Sequence, residues 1–192
     1  IVLIHNFLDP SECKSFCSFL EKLPLVGTPA AKRGEADRVN DRISIPSTSF
    51  ADSLWTALGP HVGNMPSFQT HLSPPAKACA FNSNIRLYRY GEGQYFGAHY
   101  DDSIRDAKTG TWSEWTLLVY LTGEEDGVEG GQTVFYKPRT KKTTDEIVPP
   151  LTRGTALLHR HGKECMLHEG RKVLKGKKMV LRSDLMFMQP RP

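Results

Sequence analysis

The second half of the chain restricts the fold most strongly, because it consists of short apolar runs separated by turn-forming residues. After Asn84 the runs are rich in β-branched and aromatic residues, and Gly, Asp, Lys and Pro stand between them. Many short strands with turn signals are typical of an all-β sandwich or barrel. The runs cover 85–90, 95–100, 115–121, 133–136, 155–159, 166–168 and 179–187. We therefore predict a β-sandwich of the jelly-roll type here.

The first half of the chain has a different pattern, which predicts helices. Asp9 and Pro10 form a capping pair ahead of apolar residues at helical spacing, so a first helix should begin there. A second, short helix should open at Ser49 or Asp52 and end at Gly59–Pro60. Three further segments lack a helical pattern: a strand is expected at 1–7, and irregular loops at 24–41 and 59–83.

Length and composition fit one globular domain. Of the 192 residues, 39% are apolar and 24% are charged, which excludes collagen-like, coiled-coil and largely disordered chains. No apolar run approaches the length of about 18 residues that a membrane span needs. The expected class is α+β, with a double-stranded β-helix (jelly-roll) core at about 84–188 and N-terminal helices, within about 1–83, packed on it. We expect a single domain over 1–192.

Positive charge is clustered, although the net charge of +4 is too small to indicate a nucleic-acid-binding protein by itself. The clusters most simply form solvated turns. The first of them nevertheless keeps nucleic acid open as a partner. The two clusters are Lys137, Arg139, Lys141 and Lys142, and Arg171, Lys172, Lys175, Lys177 and Lys178.

The four cysteines indicate free thiols rather than a disulfide framework. Cys13 and Cys17 are four residues apart on the first predicted helix, where the geometry is poor for a disulfide. Buried free thiols favour a reducing, intracellular compartment. The first residues do not form a signal peptide, but the sequence starts at Ile1 rather than Met, which leaves the compartment open.

Three residues are candidates to bind one metal ion. His99 and Asp101 are two residues apart on a predicted strand, so their side chains point to the same face. His168 lies on a later strand, which a jelly roll can bring beside the first pair. Two imidazoles and one carboxylate on one face of an octahedron suit non-haem Fe(II). Such a site keeps positions open for a chelating 2-oxo acid and O2.

A cation for the far end of such a co-substrate is available at Lys178, ten residues after His168. Gly176 permits a turn between them, so Lys178 can return on the adjacent strand. A buried lysine is costly unless it is paired, and the distal carboxylate of 2-oxoglutarate would be its partner. Arg182 lies four residues further on the same strand face and is the main competitor.

The stretch from Tyr90 to Asp101 resembles the prolyl 4-hydroxylase-like branch of the Fe(II)/2-oxoglutarate dioxygenases. The family pattern is Tyr-x-x-Gly-Gln-x-aromatic-x-x-His-x-Asp, and the matching residues are Tyr90, Gly93, Gln94, Phe96, His99 and Asp101. Later segments resemble further strands of the family in the same order and spacing, so the resemblance extends over about 85–187. These segments are 115–121, 129–135, 154–156, 168–170 and 173–178.

The resemblance implies a dioxygenase on a double-stranded β-helix, with Fe(II), 2-oxoglutarate and O2 as cofactors and ascorbate as a further candidate. It assigns the iron ligands to His99, Asp101 and His168, and the partner of the C5 carboxylate of 2-oxoglutarate to Lys178. It also places Tyr90 and Tyr120 as hydrogen-bond partners of the co-substrate and Thr133 in the pocket wall. The alternative for the two tyrosines is that they only pack in the core with their hydroxyl groups bonded elsewhere.

The resemblance favours a prolyl residue in a polypeptide as substrate. A small molecule, another side chain, nucleic acid, or a binding module without turnover are the alternatives. The sequence lacks the Arg-Thr-Ser-Ser-Gly-like segment of collagen-type and plant-type prolyl hydroxylases. The polar segment 27–42 is expected to be a mobile lid that closes over the iron face, with Arg38, Asn40 or Arg42 reaching the substrate.

A zinc cluster is the alternative metal site. His159, His161 and Cys165 precede His168 closely enough to form one. The spacings to Asp101 and Lys178 favour His168 as the iron ligand instead. His159 or His161 would then be residues of the pocket or its surroundings.

Overall fold

The computed structural model describes residues 1–62, 68, 76–140 and 143–188 of the chain. Two α-helices lie in this part, α1 (Pro10–Glu21) and α2 (Thr48–Val62). The strands before the predicted core are β1 (Val2–Ile4), β2 (Val26–Gly27), β3 (Arg38–Val39), β4 (Asp41–Pro46) and β5 (Ala78–Phe81). The later strands are β6 (Asn84–Tyr90), β7 (Tyr95–His99), β8 (Trp112–Tyr120), β9 (Glu129–Gly130), β10 (Thr133–Pro138), β11 (Thr144–Ile147), β12 (Ala156–Arg160), β13 (Leu167–Gly170), β14 (Val173–Lys175) and β15 (Lys178–Phe187).

The strands form two main antiparallel sheets. The larger sheet has the order β1-β12-β8-β15-β6-β4-β2, with β5 paired to the end of β15. The smaller sheet has the order β11-β10-β13-β7-β3, and β14 pairs with β9 separately. Each strand that the sequence predicted after Asn84 is present, within a few residues at its ends. The jelly-roll prediction is confirmed at this level.

The first helix begins where its capping pattern predicts. The Asp9 carboxylate accepts hydrogen bonds from the backbone N–H groups of Ser11 and Glu12, at 2.7 and 2.8 Å. The Glu12 carboxylate in turn accepts from the backbone N–H of Asp9 at 2.8 Å. These bonds satisfy N–H groups that have no partner within the helix, and so fix its first turn.

The prediction that the second helix ends at Gly59–Pro60 was wrong, because α2 continues to Val62. Gly59 lies against the indole ring of Trp55, where an added Cβ would approach ring atoms to 2.9 Å. The glycine therefore makes room for Trp55 inside the helix instead of ending it. Pro60 has no backbone N–H to donate to the carbonyl oxygen of Thr56, yet the helix continues for two residues beyond it.

The prediction of an irregular segment over 24–41 was also wrong. β2 and β3 lie within this segment, and β4 begins at its last residue. β4 pairs with β6 along its whole length, and β3 pairs with β7 in the smaller sheet. The expected loop at 59–83 includes β5, and most of its remaining residues lie outside the described ranges. The N-terminal part thus supplies strands to both sheets as well as helices.

The two faces of the larger sheet have different roles. On β15, Met179 and Leu181 belong to a core cluster that includes Leu20 of α1 and Leu54 of α2. Val180 belongs to the second cluster, which lies between the two sheets. Because side chains alternate along a strand, residues of even number on β15 face the interior of the sandwich.

No helix in the described residues is long and apolar enough to cross a membrane.

Candidate active site

The pairing of β7 with β13 brings the predicted metal ligands together. His99 lies opposite His168 in the register of these two strands, and Asp101 lies two residues beyond the end of β7. One ligand atom from each of the three residues lies within 4.8 Å of the others. The smaller sheet thus joins two motifs that are far apart in sequence.

Hydrogen bonds to the backbone fix both imidazoles in one orientation. Nδ1 of His99 lies 2.8 Å from the carbonyl oxygen of Gly97, and Nδ1 of His168 lies 2.9 Å from that of Met166. A carbonyl oxygen only accepts, so Nδ1 carries the proton and Nε2 keeps its lone pair. Both Nε2 atoms lie 3.7 Å from carboxylate oxygens of Asp101. This is the tautomer that a metal-binding imidazole needs.

The charge states also suit a metal ion. Burial, together with the neighbouring His168, lowers the pKa of His99 to about 4. Burial lowers the pKa of His168 as well. Both rings are therefore neutral near pH 7, and neutral imidazole is the form that binds metals.

Asp101 is buried but ionised. Burial alone would raise the pKa of its carboxyl group, but Arg182 and the surrounding imidazoles hold this pKa well below its usual range. Nη1 of Arg182 donates to Oδ1 at 3.1 Å, and Nη2 forms an ion pair with Oδ2 at 3.0 Å. The Thr116 hydroxyl donates to Oδ2 at 2.8 Å. Arg182 is thus occupied by a carboxylate of the protein itself.

Lys178 is a buried cation whose charge is not balanced locally. It is 5% exposed, and burial lowers its pKa to about 8. Its Nζ donates to the carbonyl oxygen of Gly131 at 2.6 Å and lies 5.6 and 5.5 Å from the ring centres of Tyr90 and Tyr120. Within the described ranges no carboxylate forms an ion pair with it.

Lys178 and the three candidate metal ligands line one cavity of about 50 Å³ between the sheets. Tyr90 and Thr133, both expected at the co-substrate, also line this cavity. Tyr120 does not line it; its hydroxyl donates to Oγ1 of Thr133 at 2.8 Å. The structure therefore brings together the predicted residues of the inner site and puts Tyr120 behind its wall.

A wider cleft of about 760 Å³ lies outside His99, and Arg38 and Arg42 line it. The guanidinium of Arg38 lies 4.7 Å from the ring centre of Phe96, and this ring stacks on the His99 imidazole at 3.7 Å. Asn40 does not reach the cleft, because it is 1% exposed and its Oδ1 accepts a hydrogen bond from Thr28.

Two histidines, His159 and His161, were candidates for either the pocket or a zinc site, and they have different surroundings. His161 is bonded at both nitrogens, to the hydroxyl groups of Thr116 and Ser113 at 3.0 and 2.9 Å. His159 lines the cavity, with its Nε2 3.7 Å from Oδ2 of Asp101. A group formed by His159, Cys165 and His168 also has ligand atoms within 4.8 Å of one another. The alternation of side chains along a strand places His159 on the same face as Leu157. The sequence does not indicate whether this face points into the sandwich.

The basic run at Lys137 and Arg139 lies at the end of β10, beside β11. Both residues are exposed, as expected for solvated charges. Lys141 and Lys142 of the same run lie outside the described residues.

A sequence model of the 2OG-Fe(II) oxygenase superfamily matches residues 85–183, just over half of the chain. This match confirms the resemblance noted from the sequence. No curated protein sequence matches the chain.

Solved structures of similar fold include two prolyl hydroxylases. One is a Pseudomonas putida prolyl-4-hydroxylase, with a TM-score of 0.64, 14% identity, and coverage of 98% of this chain and 92% of that one. The second is the viral collagen prolyl hydroxylase vCPH from Paramecium Bursaria Chlorella virus-1 in its 2OG complex. It has a TM-score of 0.59 and 20% identity, and the match covers 97% of this chain and 96% of that one.

A third similar structure is the non-heme alpha ketoglutarate dependent epimerase SnoN from nogalamycin biosynthesis. Its TM-score is 0.60 at 13% identity, and the match covers 96% of this chain and 75% of that one. At these identities the structural likeness shows the fold alone, and the fold serves more than one reaction. The prolyl hydroxylases among the neighbours are consistent with the prolyl 4-hydroxylase-like branch. The family assignment rests on the sequence match, by which the chain belongs to the 2OG-Fe(II) oxygenase superfamily.

Proposed function

We propose that the protein is a dioxygenase that uses Fe(II), 2-oxoglutarate and O2 to hydroxylate a C–H bond, and that its substrate is a prolyl residue in a polypeptide. The observation that carries the proposal is one cavity with a two-histidine, one-carboxylate cluster and, also in its wall, a buried lysine without a carboxylate partner among the described residues. When bound, the iron would supply the coupling of 2-oxoglutarate decarboxylation to O2 activation.

His99, Asp101 and His168 would hold the iron. The donor set fits, because the lone pairs of two Nε2 atoms and an ionised carboxylate converge there. The backbone bonds at Nδ1 keep the imidazoles from turning away, so little ordering entropy is lost when a metal binds. Thr116 and Arg182 orient the carboxylate in the same way.

Lys178 would bind the C5 carboxylate of 2-oxoglutarate. A buried ammonium group without an anionic partner raises the free energy of the fold, and an entering carboxylate would relieve this cost. Arg182 is the weaker candidate, since Asp101 already takes up its guanidinium group. Tyr90 and Thr133 would line the path between Lys178 and the metal.

The wider cleft outside His99 would admit the substrate. Its wall has an extended backbone edge at β3 and two arginines, Arg38 and Arg42, which can bind the carbonyl or carboxylate groups of a peptide. Buried Asn40 instead would hold the cleft wall in shape through Thr28. The choice of proline is supported by the family pattern and by the two prolyl hydroxylases of similar fold.

The experiment that tests the proposal has two readouts. Purified protein with Fe(II) is incubated with proline-containing peptide libraries, with and without 2-oxoglutarate and with and without ascorbate. We expect release of succinate and a mass gain of about 16 Da on a peptide, both dependent on 2-oxoglutarate. A Lys137→Met variant, altered on the exposed β10 strand, serves as the control and should match the wild type.

Succinate release without a modified peptide would support the oxygenase and contradict the prolyl substrate. In that case cell extracts are screened for the same mass gain on small molecules, other side chains and nucleic acid. No succinate under any condition, with iron bound, would contradict the proposed activity and leave a binding module.

A further inference from the structure

A line of hydrogen bonds leads away from the candidate metal centre, and the proposed function uses only its first bond. The Thr116 hydroxyl, which donates to Oδ2 of Asp101 at 2.8 Å, also lies 3.0 Å from Nδ1 of His161. Nε2 of His161 lies 2.9 Å from Oγ of Ser113, and this oxygen accepts the backbone N–H of Ile104 at 2.8 Å. Four hydrogen bonds therefore link a candidate ligand carboxylate to the backbone of Ile104.

The two ends of this line fix the direction of every bond in it. The Asp101 carboxylate is ionised and only accepts, so the Thr116 hydroxyl uses its one hydrogen there. Burial lowers the pKa of His161, so its ring is neutral near pH 7 and carries one proton. The Thr116 oxygen accepts this proton from Nδ1. Nε2 keeps its lone pair and accepts from the Ser113 hydroxyl, whose oxygen accepts from Ile104.

The side chains of this line are buried. Ser113 and Thr116 are 0% exposed, and His161 is 2% exposed. A purely structural role would not require polar groups here, because apolar side chains of similar shape avoid the cost of burying an imidazole and two hydroxyl groups. The polar groups instead lead to one charged end, the carboxylate of Asp101. Each donor in such a line polarises the next, so His161 strengthens the bond from Thr116 to the carboxylate.

The backbone around His161 is bonded to the same part of the structure. The N–H of His161 donates to the carbonyl oxygen of Glu114 on β8 at 3.0 Å, and the N–H of Gly162 donates to the carbonyl oxygen of Asp101 at 2.8 Å. The imidazole is thus held against β8 and Asp101 by its own main chain. Among the described residues no group of candidate metal ligands includes His161, and hydrogen bonds account for both of its ring nitrogens.

Resting on the proposed function, we infer that His161 is a positioning residue of the metal centre. Acting through Thr116, it holds the Asp101 carboxylate ready for the metal, and it is not itself a ligand. Replacing a partner that orients a metal ligand typically weakens metal binding about 10- to 100-fold. Because His161 has this effect through Thr116, its contribution should disappear when the Thr116 hydroxyl is removed.

The test measures the dissociation constant for Mn(II) by calorimetry, without 2-oxoglutarate, peptide or O2. His161→Phe and Thr116→Val each remove one bond of the line, and each should raise this constant about 10- to 100-fold. The double variant should bind Mn(II) about as well as Thr116→Val alone, since that variant already lacks the connecting hydroxyl. Thr116→Ser restores the hydroxyl and should recover most of the affinity. The control is Thr144→Val on the exposed strand β11, which should match the wild type.

A second measurement needs no substitution and so does not depend on how the variants fold. The two ring nitrogens of a neutral imidazole differ in nitrogen chemical shift, according to which one carries the proton. In isotope-labelled wild-type protein we expect the proton of His161 on Nδ1, both before and after loading with Zn(II). Circular dichroism verifies the fold of each variant before its affinity is measured.

The outcomes separate this inference from the proposed function. Unchanged Mn(II) affinity in folded His161→Phe, losses that add in the double variant, or a His161 proton on Nε2 would each overturn the inference and leave the dioxygenase intact. The expected affinities without succinate release from the iron-loaded wild type would overturn the dioxygenase and support the positioning role. A wild type that binds no divalent metal would overturn both.

Discussion

The charge of Lys178 makes a quantitative prediction about co-substrate binding. The Lys178→Met change keeps the length of the side chain and removes its charge. A hydrogen bond between charged groups contributes about 1.5–3 kcal/mol, and each ~1.4 kcal/mol changes a dissociation constant tenfold. We therefore expect the dissociation constant for 2-oxoglutarate to rise about 10- to 150-fold in this variant.

The pKa of Lys178 adds a pH dependence with a definite sign. Burial lowers this pKa from 10.5 to about 8 in the folded protein. Between these pH values the unfolded chain binds more protons than the folded chain, so the free energy of unfolding rises with pH. The lowered pKa corresponds to a reduction of about 3 kcal/mol in the free energy of unfolding. This reduction is fully present below the pKa of the folded protein and disappears as the pH rises to the pKa of the unfolded chain. Lys178→Met should lack this rise.

Co-substrate affinity should change in the opposite direction. A dianion binds better to the protonated lysine, so the affinity of the wild type should fall above a pH of about 8, by up to tenfold per pH unit. Isothermal titration calorimetry of Mn(II)-loaded protein at several pH values measures this. The control is Lys177→Met, which changes an exposed neighbour paired with Glu21 at 3.4 Å and should match the wild type. Equal affinity or equal pH slopes in wild type and Lys178→Met would refute the assignment, and a larger loss in Arg182→Met would transfer it to Arg182.

Four more predictions concern the candidate metal ligands, the partner of Asp101 and the residues around the cleft. His99→Ala and His168→Ala should abolish Fe(II) binding and turnover while circular dichroism stays that of a folded domain; retained turnover in either would exclude it as a ligand. Arg182→Met should lower the stability of metal-free protein in urea by about 3–5 kcal/mol, because it leaves the Asp101 carboxylate buried without its main partner. Arg38→Ala should reduce peptide hydroxylation and leave uncoupled 2-oxoglutarate decarboxylation nearly unchanged. Equal losses of hydroxylation and of uncoupled decarboxylation in Arg38→Ala would show that Arg38 supports the fold rather than substrate binding. Asn40→Ala should instead lower the free energy of unfolding by about 1–3 kcal/mol, because it removes a buried hydrogen-bond partner.

The inner site could be predicted from sequence because its information is local. The His99–Asp101 pair and Lys178 lie on strands with strong β patterns, and alternation along a strand fixes which side chains share a face. His168 needed one further assumption, that a jelly roll pairs its strand with β7, and the register confirms that these strands pair.

The cleft wall could not be predicted, because its strands are stabilised by partners rather than by their own sequence. β3 has only Arg38 and Val39, and its hydrogen bonds go to β7, about sixty residues later in the chain. A polar residue such as Asn40 is expected at the surface from sequence alone. It is buried in the structure, next to the strand β4 that pairs with β6. His159 was ambiguous for a related reason, since its face is decided by the pairing of β12 with β8.

One glycine, Gly97, connects the cleft to the candidate metal centre. The backbone N–H of Gly97 donates to the carbonyl oxygen of Asp37 at 2.7 Å, and its own carbonyl oxygen accepts from Nδ1 of His99 at 2.8 Å. An added Cβ there would lie 3.0 Å from the Asp37 carbonyl oxygen, so a larger residue would require the two backbones to move slightly apart. If the cleft opened by lifting β3 away, the support of one imidazole would be disturbed at the same moment. The spectrum of a bound metal would then be a direct gauge of cleft opening, readable without any label on the protein.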